Sequence, residues 1–71
     1  RMVDGPVSLE VFDLQGRRVT TLVERTLPAG PHRVSWNGQD LQGQNVASGA
    51  YYIHVAMDEW SVTRRVLLLR N

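Results

Sequence analysis

The chain has 71 residues, which is enough for one domain and no more. It contains no cysteine, so neither a disulfide nor a thiolate-bound metal reinforces its core. No apolar run approaches the roughly 18 residues that a membrane-spanning helix needs, and no signal peptide begins the chain. Because Arg1-Met2 is typical of an internal cut, we expect residues 1–71 to be a single domain of a longer polypeptide.

Charge is unevenly placed along the chain. All eight basic residues are arginine, which excludes chemistry that depends on lysine, such as Schiff-base formation. The net charge of +1 does not predict nucleic-acid binding. Residues 61–71, however, contain Arg64, Arg65 and Arg70 with no acid. This basic segment is typical of a solvated strand face, and it also fits a docking edge for a partner.

Alternating apolar residues predict strands rather than helices. Residues 7–11 form the first predicted strand, which ends in a turn from Asp13 to Gly16. In that turn the Asp13 carboxylate is expected to cap a backbone N–H, while Gly16 accepts a positive φ. Residues 17–23 then complete the first hairpin.

The middle of the chain predicts a turn, a strand and a long loop. Pro28 and Gly30 mark the turn. Residues 32–36 predict a third strand that carries Trp36 on its apolar face. The loop at residues 37–49 is rich in Asn, Asp and Gly, which are turn-forming residues.

Residues 50–57 predict a fourth strand, which begins just after Gly49. The hydroxyl of Tyr51 is expected to bond back to loop backbone, as in the tyrosine corner of immunoglobulin-like domains. Asp58 and Glu59 reverse the chain without a glycine, so we expect a loop wider than two residues.

Residues 60–70 predict the last strand. Strict alternation places Arg64 in line with Val62 and Val66. Either a bulge near Arg64 and Arg65 resets the face, or Arg64 lies at a sheet margin.

Regular spacing of these strands predicts the fold class. We expect five strands, or six if residues 2–4 also pair. Short strands joined by Gly and Pro turns indicate an all-β fold, a small antiparallel immunoglobulin-like or fibronectin III-like β-sandwich of five to seven strands.

Five motifs in a fixed order resemble a known family. They are Asp-Leu-Gln-Gly-Arg-Arg-Val at 13–19, Leu-Pro-Ala-Gly at 27–30, Trp-Asn-Gly-Gln-Asp at 36–40 with Gly43, Val-Ala-Ser-Gly-Ala-Tyr at 46–51, and Arg-Arg-Val at 64–66 with Leu68 and a terminal basic residue. Together they resemble the immunoglobulin-like domain of the flagellar hook-capping (FlgD-like) family. They also resemble the related type A C-terminal sorting domains of type IX secretion.

The resemblance implies a non-catalytic C-terminal domain for secretion sorting or cell-surface attachment of an exported bacterial protein. The implied partners are a protein partner such as an outer-membrane secretion apparatus, and a catalytic or adhesin domain upstream. The implied docking residues are Arg64, Arg65 and Arg70. The implied structural residues are Asp13, Gly16, Trp36, Gly38, Asp40, Gly49 and Tyr51.

Two features of this chain depart from the sorting type. Sorting domains usually carry lysine near the end, where this chain has arginine. The Trp-Asn-Gly-x-Asp loop at residues 36–40 is closer to the hook-cap type. It implies an alternative, a structural interaction domain of a hook-cap-like scaffold.

Catalytic and metal sites are not predicted. His32 and His54 are too few for a zinc site in a chain without cysteine. Asp40 is the sole acid of the 37–43 loop, which is weak for calcium. Ser48 lacks the glycine-rich elbow of a hydrolase nucleophile. We therefore expect no enzyme activity and no cofactor.

Aromatic residues leave a third alternative, an accessory carbohydrate-binding module. Trp36 and Tyr51 occupy core-phased positions. Tyr52 and Trp60 are then the aromatic side chains that remain to stack on a sugar, although scattered exposed aromatics are normal.

Overall fold

The computed structural model describes residues 5–28 and 31–70, and these form one antiparallel sheet. Its strands are β1 (Gly5–Phe12), β2 (Arg18–Leu27), β3 (Gly49–Met57) and β4 (Trp60–Leu68). The strand order is β2-β1-β3-β4, so β2 and β4 are edge strands. The all-β class is confirmed. This part of the chain has no helix with the length and hydropathy needed to cross a membrane.

The number of strands differs from the prediction of five to seven, because the described residues form only four. Residues 32–36 do not form the predicted third strand. No backbone hydrogen bond joins residues 31–35 to another described residue. An alternating pattern indicates which side chains share a face, but it does not supply a partner strand. The predicted pairing of residues 2–4 and the turn glycine Gly30 lie outside the described residues.

Register divides the sheet into an apolar face and a polar face. Leu9 lies opposite Val55, and Val55 lies opposite Val62. Cross-strand partners project to the same side, so these residues share the apolar face. Its apolar members are Val7, Leu9, Val11, Val23, Leu27, Tyr51, Ile53, Val55, Met57, Trp60, Val62, Val66 and Leu68. The polar face carries Glu10, Tyr52, His54, Thr63 and Arg65.

The core lies at one end of the apolar face. Val11 has no exposed surface, while Val23 and Tyr51 each keep 8%. Trp36 packs on Tyr51 from the long loop between β2 and β3. The second layer that we expected as a sheet is therefore, in the described residues, a layer of loop over one end of the sheet.

The turn between β3 and β4 is tighter than predicted. Met57 pairs directly with Trp60, which leaves a two-residue loop. Asp58 has a φ of 53° and so supplies the positive φ that such a loop requires. The expectation of a wider loop is wrong because aspartate tolerates this conformation in place of glycine.

Bulges occur in the β1–β2 pairing and not in β4. The register shifts after Leu9 and again after Val11, while β3 and β4 pair without interruption. Arg64 therefore stays in line with Val62. Of the two alternatives for Arg64, the position at a sheet margin is the observed one, since β4 is an edge strand.

Candidate functional site

Asp13 organises the turn between β1 and β2. Its Oδ1 accepts hydrogen bonds from the backbone N–H groups of Gln15 and Arg17, both at 2.9 Å. The Arg17 side chain donates to Oδ2 at 3.0 Å. Gly16 donates its N–H to the Asp13 carbonyl at 3.0 Å and has a φ of 84°. The predicted roles of Asp13 and Gly16 are both observed.

These contacts change the acidity of the carboxyl group. The backbone N–H of Arg17 is the largest influence that lowers the pKa of Asp13 below its ordinary value of 3.8. The Arg17 side chain, the backbone N–H of Gln15 and the charge of Arg17 lower this pKa further. Each stabilises the ionised carboxylate, so the turn holds Asp13 as an anion.

Asp40 forms a second turn with the same bonds. Its Oδ1 accepts from the N–H groups of Gln42 and Gln44, both at 2.9 Å. Gly43 donates to the Asp40 carbonyl at 3.0 Å, and Asp40 donates to the Gln44 carbonyl at 2.9 Å. The signal for this likeness was available in the sequence, because the tetrapeptide Asp-Leu-Gln-Gly occurs at both 13–16 and 40–43.

Trp36 and Tyr51 close the long loop onto the sheet. Their rings meet edge to face, with centroids 5.1 Å apart and planes at 72°. Trp36 Nε1 donates to the carbonyl of Gln39 at 3.0 Å. The Tyr51 hydroxyl donates to the carbonyl of Ala47 at 2.7 Å, which is the predicted bond back to loop backbone. Both aromatic residues thus join loop backbone to the core.

Arg70 clamps the same loop from the end of the chain. Its backbone N–H donates to Ser48 Oγ at 3.0 Å, and its Nε donates to the carbonyl of Val46 at 2.8 Å. Its Nη2 donates to the carbonyl of Gly38. We call this set of bonds the Arg70 clamp. No sequence signal predicted it, since its partners lie 22 to 32 positions away in the chain.

Gly38 and Gly49 flank the clamped loop. Gly38 is buried with a φ of 77°, and a Cβ at this position would lie 2.5 Å from Nη2 of Arg70. A side chain at Gly38 would therefore displace the guanidinium group from the clamp. Gly49 is the first residue of β3.

The three arginines predicted to dock a partner lie in three different environments. Arg64 pairs with Ile53 on the apolar face, whereas Arg65 pairs with Tyr52 on the polar face. Both are exposed, and neither has an ion-pair partner among the described residues. Arg70 forms the clamp instead. Of these three arginines, Arg64 and Arg65 are therefore the two whose guanidinium groups have no partner among the described residues.

Candidate metal ligands are separated and already bonded. His32 Nε2 lies 2.6 Å from the carbonyl of Pro28, and His54 Nδ1 lies 2.8 Å from Thr63 Oγ1. Across residues 5–28 and 31–70, no three His, Cys, Asp or Glu side chains are grouped so that they could hold a metal ion.

The exposed aromatic residues do not form one sugar-stacking platform. Tyr52 lies on the polar face, in a shallow groove of about 360 Å³ that Phe12 and His54 also line. Trp60 is 55% exposed and lies on the apolar face, at the end of the sheet away from Tyr51. A sugar ring bound at one of these residues would not reach the other.

The architecture agrees with the comparison to known families. The family model of the FlgD Ig-like domain matches residues 4–59, and this match ends just before β4. No curated protein and no solved structure matches the chain at a significant level. The FlgD Ig-like family is structural and non-enzymatic, and domains of this type are found in exported bacterial proteins. Because the match covers more than half of its residues, this chain belongs to the FlgD Ig-like domain family.

Proposed function

We propose that the chain is a non-catalytic domain that sorts an exported bacterial protein for secretion or attaches it to the cell surface. It does so by docking on a protein partner, for which an outer-membrane secretion apparatus is the candidate. The non-catalytic part rests on the family, which is structural.

The observation that supports docking is the free edge of β4. Within residues 5–28 and 31–70 this strand has a neighbour on one side only, so its outward N–H and C=O groups are open to strand addition. Arg64 and Arg65 are exposed on this edge strand, on opposite faces. An acidic partner strand would add backbone hydrogen bonds along β4 and pair with these guanidinium groups.

The test is secretion of a reporter fused to the whole chain. Arg64→Glu and Arg65→Glu reverse charge on β4 without touching the Arg70 clamp, so we expect the fold to survive and the secreted fraction to fall. The control is Arg33→Glu, which reverses an exposed charge outside the sheet. Circular dichroism checks the fold of each variant. Unchanged secretion with Arg64 and Arg65 both reversed would contradict the proposal.

Arg70→Glu must be measured apart from these variants. It breaks hydrogen bonds to Gly38 and Val46, so a loss of secretion would report loosening of the loop as well as lost docking. We expect its secretion defect to track its loss of thermal stability.

A second candidate function is structural packing in a hook-cap-like scaffold. The family match favours it, since FlgD gives the family its name and the matched residues exclude β4. Light scattering of the parent protein is the measurement. Assembly that depends on this domain, together with export that does not, would favour scaffolding over sorting.

A further inference from the structure

An asparagine followed by a glycine lies at the start of the clamped loop. Asn37 is exposed, whereas Gly38 is buried. The amide side chain of an asparagine reacts with the backbone nitrogen of the next residue, and a glycine there favours the reaction because no Cβ crowds the nitrogen. The dipeptide therefore combines a solvent-accessible amide group with the least hindered backbone neighbour.

The fold itself requires glycine at position 38. Its φ of 77° lies in the left-handed region, which favours glycine. A Cβ there would lie 2.5 Å from Nη2 of Arg70 and 3.2 Å from the Leu68 side chain. The Arg70 clamp therefore depends on the same residue type that makes Asn37 reactive.

The backbone nitrogen of Gly38 is not held by a hydrogen bond. Among the described residues, no acceptor bonds to its N–H group. The Gly38 carbonyl, in contrast, accepts from the N–H of Val46 at 3.0 Å and from Nη2 of Arg70. The fold thus fixes the peptide group after Gly38 and leaves the nitrogen before it free to react.

Gln39 holds both polar atoms of the Asn37 side chain. Its backbone N–H donates to Oδ1 at 3.1 Å, and its Oε1 accepts from Nδ2 at 3.1 Å. Attack by a nitrogen places negative charge on Oδ1, and an N–H already aimed at that oxygen stabilises the charge. The carbonyl of the same peptide group accepts from Arg70 and Val46, which polarises the group and strengthens its N–H as a donor.

Asn45 lies in the same loop but lacks these conditions. It is also exposed, but Val46 follows it, and a β-branched side chain crowds the backbone nitrogen. The N–H of Val46 is also engaged, since it donates to the Gly38 carbonyl at 3.0 Å. Asn45 is therefore an internal control for a reaction at Asn37.

We propose that Asn37 is a site of spontaneous deamidation within the folded domain. The Gly38 nitrogen loses its proton to solvent base and forms a bond to Cγ of Asn37. The bond between Cγ and Nδ2 breaks, and Nδ2 takes up a proton and leaves as ammonia, so that a succinimide ring remains. Water then opens the ring. Cleavage at Cγ gives aspartate, and cleavage at the backbone carbonyl carbon gives isoaspartate. This inference does not depend on a role in export.

The two products differ in the length of the backbone. Isoaspartate directs the chain through Cβ and Cγ, which inserts one extra atom between Trp36 and Gly38. Trp36 is anchored on Tyr51, and Gly38 is anchored on Arg70. Isoaspartate therefore disturbs at least one of these contacts. Aspartate keeps the backbone and an oxygen for the Gln39 N–H, so we expect it to leave the clamp intact.

The first experiment incubates the folded chain at pH 7.4 and 37 °C and follows the conversion of each asparagine. Tandem mass spectrometry of the tryptic fragment at residues 34–64, which contains both asparagines, locates the replacement of NH₂ by OH. Conversion at Asn37 should be at least about tenfold faster than at Asn45. It should also be faster at pH 9 than at pH 6, because base removes the proton of the attacking nitrogen. Equal rates at the two asparagines would overturn the proposal.

A synthetic peptide of residues 34–41 separates the effect of the fold from that of the local sequence. It contains the Asn-Gly dipeptide, but it lacks Val46 and Arg70 and therefore the fixed peptide group. Under the same conditions, we expect the folded chain to react at Asn37 at least as fast as the peptide. A slower reaction in the folded chain would show that the loop protects Asn37, and the proposal would then be wrong.

Variants and separated products test the consequence for the clamp. Asn37→Asp has the aspartate product from the start, and it should melt close to the temperature of the natural chain. The isoaspartate form, purified by chromatography, should melt at a lower temperature and exchange the Val46 amide faster. Asn37→Gln is the chemical control, because its longer side chain must close a six-membered ring, and it should show no conversion over the same period. Conversion at residue 37 of this variant at the natural rate would contradict the mechanism.

Discussion

One carboxylate organises each of the two Asp-Leu-Gln-Gly turns. Asp13 and Asp40 each accept two backbone N–H groups, from the residues two and four positions later. The turns differ at the last of these positions, which is Arg17 in the first and Gln44 in the second. Only Arg17 adds a side-chain hydrogen bond to its aspartate. The natural sequence thus contains the same turn with and without an ion pair.

The lowered pKa of Asp13 predicts how this turn depends on pH. A depressed pKa in the folded state contributes stability above the unfolded carboxyl pKa, near 3.8, and that contribution is lost as pH falls through the lower folded value. We expect Asp13→Asn to be less stable than the natural chain at pH 7, and the difference to shrink by pH 2. Urea denaturation at both pH values measures it.

Arg17→Gln is the matched variant, because it converts the first turn into the second. It removes the ion pair but leaves the backbone N–H of residue 17, which is the largest influence on the pKa of Asp13. An NMR titration should therefore find the pKa of Asp13 raised in this variant yet still below 3.8. A full return to 3.8 would show that the charge of Arg17, and not the backbone, controls the carboxylate.

At the scale of elements, the Arg70 clamp joins the end of the chain to the loop before β3. Arg70 follows β4, and it binds the carbonyls of Gly38 and Val46 together with the Ser48 hydroxyl. The planar guanidinium group donates in two directions at once, which a lysine ammonium on its flexible stem does not match. The clamp thereby orders a loop that contains no strand.

Two glycines in this loop allow the clamp to be measured. Gly38 and Gly43 have φ values of 77° and 80°, so alanine at either costs about 1 kcal/mol or more in the left-handed region. A Cβ at Gly43 meets nothing within 4 Å, whereas one at Gly38 would press on Arg70. We expect Gly38→Ala to lower the free energy of unfolding more than Gly43→Ala.

The control for this comparison is to make Gly38→Ala and Gly43→Ala again in a chain that also carries Arg70→Ala. With the guanidinium removed, the difference in free energy between the two alanine variants should shrink, because only the Leu68 side chain, 3.2 Å from a Cβ at Gly38, still crowds that position. The amide of Val46, which bonds to the Gly38 carbonyl, should exchange faster. Equal costs in the natural background would mean that the clamp adds no stability.

At the scale of the whole molecule, one sheet and a loop layer must supply the core. Val11 is the one described side chain that is fully buried. A chain of 71 residues has a total stability of about 4–10 kcal/mol. A substitution at Val11 that lowers the free energy of unfolding therefore removes a large fraction of the stability of the whole domain.

Val11→Ala should lower the free energy of unfolding by about 2 kcal/mol, because two buried methyl groups are lost and a cavity remains. Val34→Ala is the control, since Val34 is 40% exposed on the unpaired segment, and its cost should stay under about 0.5 kcal/mol. Thermal denaturation of both variants measures the contrast. Similar costs for the two would mean that residues 31–35 pack on the sheet in solution.

Local features were predictable from the sequence because their partners lie nearby in the chain. The Asp13 turn depends on residues up to four positions away, and the Tyr51 hydroxyl reaches a carbonyl four positions back. Alternation likewise assigned Leu9 and Val55 to faces of strands, since period two follows from backbone geometry. Turn chemistry and face assignment need no knowledge of the rest of the fold.

What the sequence by itself determined is therefore the all-β class, the first turn, the tyrosine bond and the faces of the strands. The tertiary structure alone decided that residues 32–36 form no strand, that Arg70 binds a loop, and that Arg64 and Arg65 face opposite ways at a free edge. Each of these depends on which distant segment lies alongside. A strand forms only where a neighbouring strand supplies hydrogen bonds, and the Arg70 clamp needs carbonyl groups 24 and 32 positions away in the chain. The pattern of nearby residues predicts neither of these partners.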